Sequence, residues 1–282
     1  MLHDCVVLLR CPLCGQELTE EPTRHGSSAL RCPAGHSFDL ARQGYVSLLA
    51  PGAHTGTADT AEMVAARADF LRAGHYVPIA ELISSSVPLD ARTLVDVGAG
   101  TGWYAAWVLD ERPQLVGLAL DISKFALRRA ARAHPGLGAV VCDAWRPLPV
   151  RDGAADVLLN VFAPRNGPEM RRVLRPGGRL LVVSPTPRHL AELVVELGLL
   201  GVDSRKEERL AATLEPHLTA AGSEELEFSM ELTHAEVRTV VGMGPSAWHT
   251  DPDALARRIE ALPERMRVTG SVRLSAFERR DV

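Results

Sequence analysis

Two short cysteine-containing turns near the N-terminus constrain this chain most. Cys11-Pro-Leu-Cys14 holds two thiols with two residues between them, and Cys32-Pro-Ala-Gly-His36 supplies a third thiol and an imidazole. Four such ligands, grouped in two turns, are typical of one tetrahedral zinc ion. Because all four positions are filled, while a catalytic zinc keeps one open, the spacing predicts a structural ion. Such an ion can fold a segment of about forty residues that is too small to hold a core.

Composition and charge narrow the class of protein. The 282 residues are 46% hydrophobic and 23% charged, as in an ordinary globular chain. No apolar run reaches the roughly 18 residues of a membrane span, and the first residues do not form a signal peptide, so we expect a cytoplasmic protein without membrane contact. Cys5 and Cys142 are then expected to be free thiols. With a net charge of −4, contacts with nucleic acid must come from local patches.

From Arg92 onward, short β-branched runs alternate with helical stretches, which is typical of a doubly wound α/β domain. We predict strands at 93–97, 115–120, 139–142, 156–162 and 179–184, and helices near 103–109, 124–133, 168–174 and 188–197. Two later runs, 226–232 and 271–277, are predicted to close the sheet as antiparallel edge strands. The predicted divisions are a zinc-binding module (1–45), a linker loop with a helical segment (46–91), and a main domain (92–282) with an insertion near 234–265.

A buried run, Leu94–Val97, leads directly into the turn Gly98-Ala-Gly100-Thr101-Gly102. Glycines at such a turn let the backbone approach a ligand and expose amide donors at the start of a helix. In the dinucleotide fingerprint G-x-G-x-x-G the third glycine would fall at Trp103, whose indole would block packing of the helix on the strand. The tighter spacing therefore favours a ligand without a pyrophosphate.

Three carboxylates lie at the ends of successive predicted strands. Asp96 precedes the glycine turn, Asp121 ends the second strand, and Asp143 ends the third. A carboxylate at the second position can accept hydrogen bonds from a ribose diol, and one at the third can meet an adenine edge. Carboxylates also suit a sulfonium cation, which the basic residues of a phosphate site would repel. The pattern predicts S-adenosylmethionine, bound by Asp96, Gly98, Gly100, Thr101, Gly102, Asp121 and Asp143.

Further motifs occur in a fixed order along nearly the whole chain. The two zinc turns are followed by Gln43–Leu49, Ala61–Arg67, Phe70–Tyr76, the glycine turn, Asp121–Lys124, Phe162–Pro164 and Pro187–Leu190. In this arrangement the chain resembles the bacterial 23S rRNA guanine-N1-methyltransferases, the group that includes the tylosin-resistance methylases of antibiotic-producing actinomycetes. The resemblance implies a Rossmann-like class I S-adenosylmethionine-dependent methyltransferase fold with a small N-terminal zinc-binding domain.

The same resemblance implies an activity and partners. The reaction would be methyl transfer to N1 of a guanine in hairpin 35 of 23S rRNA, at nucleotide 748 in preference to 745, with macrolide (tylosin) resistance as a consequence. It further implies a homodimer, and that Tyr76 and His189 help to enclose the cofactor. Two alternatives stay open. A small-molecule methyltransferase would leave the zinc module without a purpose, and a non-enzymatic zinc-bearing rRNA-binding or ribosome-assembly protein would not need to bind S-adenosylmethionine.

The segment Asn160–Asn166 follows the fourth predicted strand, where amino-methylating enzymes of this fold place a loop that clamps the base. Guanine N1 lies on the Watson–Crick edge and carries a proton, so the base must be unpaired or flipped, and some group must accept the proton or polarise O6. Phe162 can stack on the guanine, although core packing explains this residue equally well. The catalytic candidates are Asn160 and His189, and the substrate candidates are Phe162, Pro164, Asn166 and Trp248.

The N-terminal module is expected to dock the RNA, because a closed zinc site has no position for chemistry. Its candidate RNA contacts are Arg24, Arg31 and Arg42. Residues 47–66 contain no Lys or Arg, whereas relatives carry basic residues in this loop. Glycine and threonine at 55–57 favour a flexible lid there instead of a phosphate contact.

Overall fold

The computed structural model describes residues 2–23, 28–50, 52, 58–199, 201, 203, 205–243 and 251–279, with the backbone alone at Leu2 and Lys206. Arg24, Trp248 and the predicted lid at 55–57 lie outside the described residues. Within these ranges, no helix is both long enough and apolar enough to cross a membrane.

The N-terminal part begins with helix α1 (Leu2–Cys5) and a 3-10 turn (Val6–Leu8). Three short strands then form an antiparallel sheet in the order β1 (Thr19–Pro22), β2 (Ser28–Arg31) and β3 (Ser37–Asp39). The next strand, β4 (Tyr45–Ser47), leaves this unit and joins the edge of the main sheet. The predicted module boundary at residue 45 thus falls on a strand of the main sheet, and the domain limits remain predictions.

The remaining elements alternate between helices and strands, which confirms the predicted α/β fold. In chain order they are α2 (Ala61–Arg72), α3 (Val77–Ser86), β5 (Thr93–Val97), α4 (Trp103–Glu111), β6 (Val116–Asp121), α5 (Lys124–Ala130), β7 (Leu137–Val141), β8 (Ala155–Val161), α6 (Gly167–Val173), β9 (Leu174–Pro185), α7 (Ala191–Leu197), α8 (Lys206–Leu214), β10 (Thr219–Thr233), α9 (His234–Gly242), α10 (Pro252–Glu260) and β11 (Arg265–Glu278).

The main sheet has eight strands in the order β10-β11-β9-β8-β5-β6-β7-β4. The strands from β9 to β4 pair in parallel, and β10 and β11 close the other edge in antiparallel pairing, as the sequence predicts. From β5 the chain first winds outward through β6 and β7, and then returns to place β8 on the other side of β5. Ligands of such sheets bind at the carboxyl ends of the strands, where the winding direction reverses.

Side chains alternate between the two faces of this sheet. On β5, Leu94 belongs to one core, together with side chains of helices α3, α4, α5 and α7. Its neighbours Val95 and Val97 belong to the opposite core, to which helices α6 and α8 contribute. This second core also contains Cys5 and Leu9, which are fully buried. The start of the chain therefore covers part of the main sheet.

Hydrogen bonds fasten the start of the chain to the main domain. The Cys5 thiol donates to the carbonyl of Gly117 at 3.0 Å, and burial raises its pKa to about 11. The Arg10 amide donates to the Pro149 carbonyl at 3.1 Å, and the Arg151 amide donates to the Leu8 carbonyl at 2.8 Å. Because these bonds span more than 100 residues of sequence, the N-terminal segment and the main sheet are expected to fold as one unit.

The zinc turns follow directly after this buried segment. Nδ1 of His36 lies 3.5 Å from Sγ of Cys11 and 3.3 Å from Sγ of Cys32, and the thiols of Cys14 and Cys32 are 3.6 Å apart. The four ligand atoms all lie within 4.8 Å of one another. With Zn–S bonds of about 2.3 Å, tetrahedral sulfur ligands are separated by about 3.8 Å. The donor set and its spacing fit one closed zinc ion, as the sequence predicts.

Replacing Leu9 by alanine should destabilise the whole chain. Leu9 is fully buried, so Leu9→Ala is expected to lower the free energy of unfolding by about 2–5 kcal/mol. The matched control Val7→Ala removes a side chain that is 63% exposed and should change it by less than about 0.5 kcal/mol. Urea unfolding followed by tryptophan fluorescence checks this, because every tryptophan lies beyond residue 100. An unchanged tryptophan transition in Leu9→Ala would show that the two parts fold independently.

Removing one zinc ligand should release the metal and weaken the same unit. We expect one zinc per wild-type chain by elemental analysis, no bound zinc in Cys14→Ser, and a lower melting temperature for the tryptophan-monitored transition. Cys142→Ala, which removes a thiol outside the cluster, should keep its zinc. Wild-type protein without zinc, or full zinc retention in Cys14→Ser, would contradict the assignment.

Candidate functional site

A cavity of about 1110 Å³ opens at the carboxyl ends of the parallel strands, next to the reversal point between β5 and β8. Its lining includes the predicted residues Tyr76, Asp96, Gly98, Gly100, Thr101, Asp121, Asp143, Phe162, Pro164 and His189. None of the four zinc ligands is among the lining residues. The cavity is the candidate site for chemistry, and the zinc cluster lies apart from it.

The glycine turn is held by close packing and by one carboxylate. A Cβ atom at Gly98 would lie 2.4 Å from Cβ of Ala163, so only glycine lets the turn approach the loop after β8. The carboxylate of Asp121 accepts hydrogen bonds from the amides of Gly100 and Ser123, both at 2.8 Å. Asp121 thus joins the ends of β5 and β6 across the floor of the cavity. Gly102, at the start of α4, packs against α5.

Asp96 is a buried carboxylate with an unused acceptor. Its side chain is 1% exposed, and Oδ1 has no hydrogen-bond partner among the described residues. Burial, with a smaller contribution from the charge of Asp121, raises the pKa of Asp96 to about 7. A buried carboxylate without a partner is unfavourable on its own. Its environment is therefore suited to a bound ligand that supplies a hydrogen-bond donor or a positive charge.

Asp143 follows the end of β7 by two residues. In the sheet, β7 and β8 lie on opposite sides of β5, the strand that leads into the glycine turn. Its Oδ1 accepts the amide of Trp145 at 2.9 Å, and its Oδ2 lies 3.7 Å from Nε of Arg146. Because the side chain lines the cavity, acceptor capacity remains for a ligand.

Tyr76, Phe162 and His189 form an aromatic wall. The ring of Phe162 lies 6.2 Å from that of Tyr76 and 5.8 Å from that of His189. The Ser271 amide donates to Nδ1 of His189 at 3.1 Å, so Nε2 carries the proton and donates to the Tyr76 hydroxyl, also at 3.1 Å. Burial raises the pKa of Tyr76. The hydroxyl and the imidazole are thus fixed as a neutral pair beside the cavity.

Phe162 differs from a packed core residue in two ways. Its side chain is 40% exposed although it follows β8 directly, and its φ of 53° lies in the left-handed region that a bulky residue rarely adopts. Strained backbone of this kind clusters at functional sites. The structure therefore favours the binding interpretation of Phe162 over core packing.

The other residues of the predicted base loop have structural contacts. Asn160 is fully buried, and its Nδ2 donates to the carbonyls of Val97 and Pro164, which fixes the loop against β5. Asn166 caps helix α6, with Oδ1 accepting the Glu169 amide, and its Nδ2 donates to a backbone carbonyl. Neither asparagine is among the residues that line the cavity. Oδ1 of Asn160 has no hydrogen-bond partner among the described residues, and the predicted substrate or catalytic roles of both asparagines stay predictions.

Several lining residues were not predicted. Arg67 on α2 pairs with Asp59 above the glycine turn, and Trp145 and Arg165 lie at the cavity edge. A sequence signal exists for each: Arg67 belongs to the run at 61–67, Trp145 follows Asp143 by two residues, and Arg165 lies within the base loop. Their meeting at one cavity depends on contacts between distant segments. Helix α9 adds further apolar lining through Val240 and Val241.

Comparison with known proteins assigns the chain to a family. The zinc-ribbon family described as "RlmA, N-terminal" matches residues 9–54, and the family "Methyltransferase domain" matches residues 95–182. A chain from a solved complex of the Haloferax volcanii Trm112 methyltransferase activator with a methyltransferase is similar in fold, with a TM-score of 0.50 at 17% identity, over 79% of this chain and 100% of that one. These matches confirm the predicted methyltransferase fold and zinc-binding domain.

Relatives that match over nearly the full length identify the family more specifically than these matches to parts of the chain. The chain is 52% identical to the 23S rRNA (guanine(748)-N(1))-methyltransferase of Streptomyces fradiae, over 96% of this chain and 97% of the relative. It is 54% identical to a Micromonospora griseorubida protein also named for guanine-N1 methylation of 23S rRNA, over 98% and 99% of the two chains. A Bacillus subtilis relative, YxjB, is 31% identical over 88% of this chain and 90% of its own. The chain therefore belongs to the family of 23S rRNA (guanine-N1)-methyltransferases.

Proposed function

We propose that the chain transfers a methyl group from S-adenosylmethionine to N1 of a guanine in hairpin 35 of 23S rRNA, at nucleotide 748 in preference to 745. The observation that carries the proposal is the cavity at the reversal point, where the unpartnered Oδ1 of Asp96, the glycine turn and the exposed ring of Phe162 meet. The Streptomyces fradiae relative, named for guanine 748, supports the choice of nucleotide. An rRNA substrate also supports a cytoplasmic location.

The residues of the cavity fit S-adenosylmethionine. Asp121, at the end of β6, is placed to accept hydrogen bonds from the ribose hydroxyls, and Asp143, at the end of β7, to meet the adenine edge. Asp96 supplies the buried negative charge that suits the ammonium group of the methionine part. When bound, the cofactor supplies a methyl group on a cationic sulfur.

The aromatic wall is suited to hold the target base. Guanine N1 is reached only when the base is unpaired or flipped, and Phe162 offers an exposed ring on which an extruded guanine can stack. Methyl transfer requires the nitrogen, the methyl carbon and the sulfur to be in line, so most of the protein's contribution is to hold base and cofactor in place. Asn160 supports this by fixing the loop that carries Phe162.

His189 is suited to a positioning role. Its Nδ1 accepts the Ser271 amide and its protonated Nε2 donates to Tyr76, so neither nitrogen has a lone pair directed at the substrate. In this arrangement His189 does not take the N1 proton, which leaves to solvent water as the N–C bond forms and the bond from the methyl carbon to sulfur breaks. It orients the Tyr76 hydroxyl beside the cofactor and the base.

The alternative of a small-molecule methyltransferase fits the cavity but not the rest of the chain. It would leave the zinc domain without a role, although the full-length relatives include this domain within the matched length. The alternative of a non-enzymatic rRNA-binding or ribosome-assembly protein does not account for the unpartnered Oδ1 of Asp96. Homodimer formation stays a prediction.

Replacing Asp121 should weaken binding of S-adenosylmethionine at least tenfold. Asp121→Ala removes a charged acceptor from the ribose, a loss of about 1.5–3 kcal/mol per hydrogen bond, and also frees the Gly100 amide. Asp121→Asn, which keeps one acceptor oxygen for the turn, should lose less. Titration calorimetry measures both. Unchanged affinity in Asp121→Ala would mean that the ribose is held elsewhere.

Cofactor affinity should depend on pH through Asp96. With a pKa of about 7 in the free protein, Asp96 is mostly neutral at pH 6 and mostly ionised at pH 7.5, and only the ionised form attracts an ammonium group. The dissociation constant should therefore fall by roughly five- to tenfold across this range. Asp96→Asn should bind weakly at both pH values, with little change between them. A pH-independent wild-type affinity would argue against the proposed contact.

The reaction itself is tested with hairpin 35 RNA. After incubation with protein and S-adenosylmethionine, mass mapping should find one methyl group on guanine 748, and reverse transcription should stop there because N1 methylation blocks pairing. RNA with adenine at 748 should remain unmethylated, and expression of the protein in a tylosin-sensitive host should raise its tolerance. Methylation of metabolites but not of this RNA would favour the small-molecule alternative.

A further inference from the structure

A smaller compartment of about 240 Å³ adjoins the main cavity on the side of the base loop. Its lining consists of Trp145, Pro164, Arg165, Arg209 and Thr213. All of these except Thr213 also line the main cavity, so the two spaces are adjacent. Since Arg165 follows Phe162 by three residues, the compartment lies beside the proposed position of the target guanine.

Trp145 presents an exposed aromatic ring to this compartment. Its side chain is 68% exposed, while the Asp143 carboxylate holds its backbone amide at 2.9 Å. Among the Phe, Tyr and Trp side chains that the structure describes, Trp145 and Phe162 are the most exposed, and both line the cavity. An exposed ring on an anchored backbone is a platform on which a nucleic-acid base can stack.

Arg165 is a half-buried cation without an ion-pair partner among the described residues. Its Nε is buried and makes no hydrogen bond, and burial lowers its pKa. The other two arginines of the cavity are neutralised, Arg67 by Asp59 and Arg209 by Asp203. An arginine stays charged in proteins, and a desolvated charge without a partner is unfavourable. Arg165 is therefore suited to an anionic ligand group, and none of the described residues that line the small compartment is acidic.

An exposed aromatic ring and an unpaired guanidinium in one compartment suit a nucleotide. The ring can stack on the base, and the guanidinium can pair with the phosphate. We propose that this compartment binds the nucleotide next to the target guanine, with the indole of Trp145 stacked on its base and the guanidinium of Arg165 paired with its phosphate. The proposal rests on the proposed RNA methylation and extends it. The compartment holds the neighbouring backbone while Phe162 holds the extruded guanine.

The test measures binding of hairpin 35 RNA by fluorescence anisotropy in the presence of S-adenosylhomocysteine, together with KM for the RNA. Trp145→Ala should weaken RNA binding by about fivefold or more, the loss of one stacked base, and Trp145→Phe should recover much of it. Arg165→Ala should weaken binding and reduce the dependence of log affinity on log salt by about one unit, with partial recovery in Arg165→Lys. Cofactor affinity should stay within about twofold in every variant.

Arg129→Ala is the matched control for charge. Arg129 lies on α5, is exposed and does not line the cavity, so its loss removes one positive charge without touching the compartment. RNA affinity and salt dependence should remain near the wild-type values. An equal loss in Arg129→Ala and Arg165→Ala would show a general charge effect and overturn the proposal.

Further outcomes separate this proposal from the proposed function. Wild-type RNA binding in both Trp145→Ala and Arg165→Ala, with methylation intact, would overturn the compartment and leave the function standing. Loss of cofactor affinity in Trp145→Ala without loss of RNA affinity would assign the indole to the adenine of the cofactor. This result would also overturn the proposed nucleotide compartment. Dissociation of a dimer with unchanged RNA affinity would assign the indole to a protein interface. Failure of the wild-type protein to bind or methylate the RNA would remove both proposals together.

Discussion

Burial of residues 5–9 against the main sheet is the contact on which the arrangement of this chain depends. Cys5, Leu8 and Leu9 fill the core on the face that α6 and α8 share, and two residues later Cys11 begins the zinc cluster. The metal therefore stabilises more than its own turns. By fixing the segment that follows Leu9, it limits the freedom of the segment that covers the sheet.

The charge of the cavity is a second constraint, because it affects how RNA can bind there. In the part of the chain that the structure describes, five aspartates line the cavity, against three arginines, two of which are already paired with aspartates. A polyanionic RNA would meet a negative potential in the empty cavity. The cationic cofactor reduces this potential when it binds, and Arg165 provides the unpaired positive charge at the edge. We therefore expect RNA to bind more tightly to the cofactor-loaded protein than to the free one.

Sequence reasoning recovers the parts of the structure that are encoded locally. Buried parallel strands such as Thr93–Val97 appear as β-branched runs, and the glycine turn and the zinc spacing are continuous motifs. Asn166 shows where a local signal was overlooked. Its position three residues before Glu169 is that of a helix cap, and hydrogen bonds within the protein occupy the side chain; its contact with the substrate stays a prediction.

Other features depend on contacts that no local pattern contains. The pairing of Arg67 with Asp59, the unpaired state of Arg165 and the strained φ of Phe162 arise only when distant segments meet. The burial of Leu9 beneath the main sheet also depends on distant segments. The sequence shows only an apolar residue before a zinc turn, and does not indicate which surface that residue packs against. The candidate site was therefore predictable for the cofactor and much less so for the RNA.

The position of the buried N-terminal segment also has a consequence for synthesis on the ribosome. Leu9 pairs with Val150, and β4 pairs with β7, which ends at Val141, so more than 90 residues must emerge after β4 before its partner strand exists. At 5–20 residues per second this interval lasts roughly 5–20 s. The zinc turns can close within that time, because their ligands all lie within the first 36 residues. During this interval the nascent chain has an ordered zinc module, but its apolar segment at residues 5–9 has no sheet to pack against. The chain is therefore most exposed to misassembly at this stage.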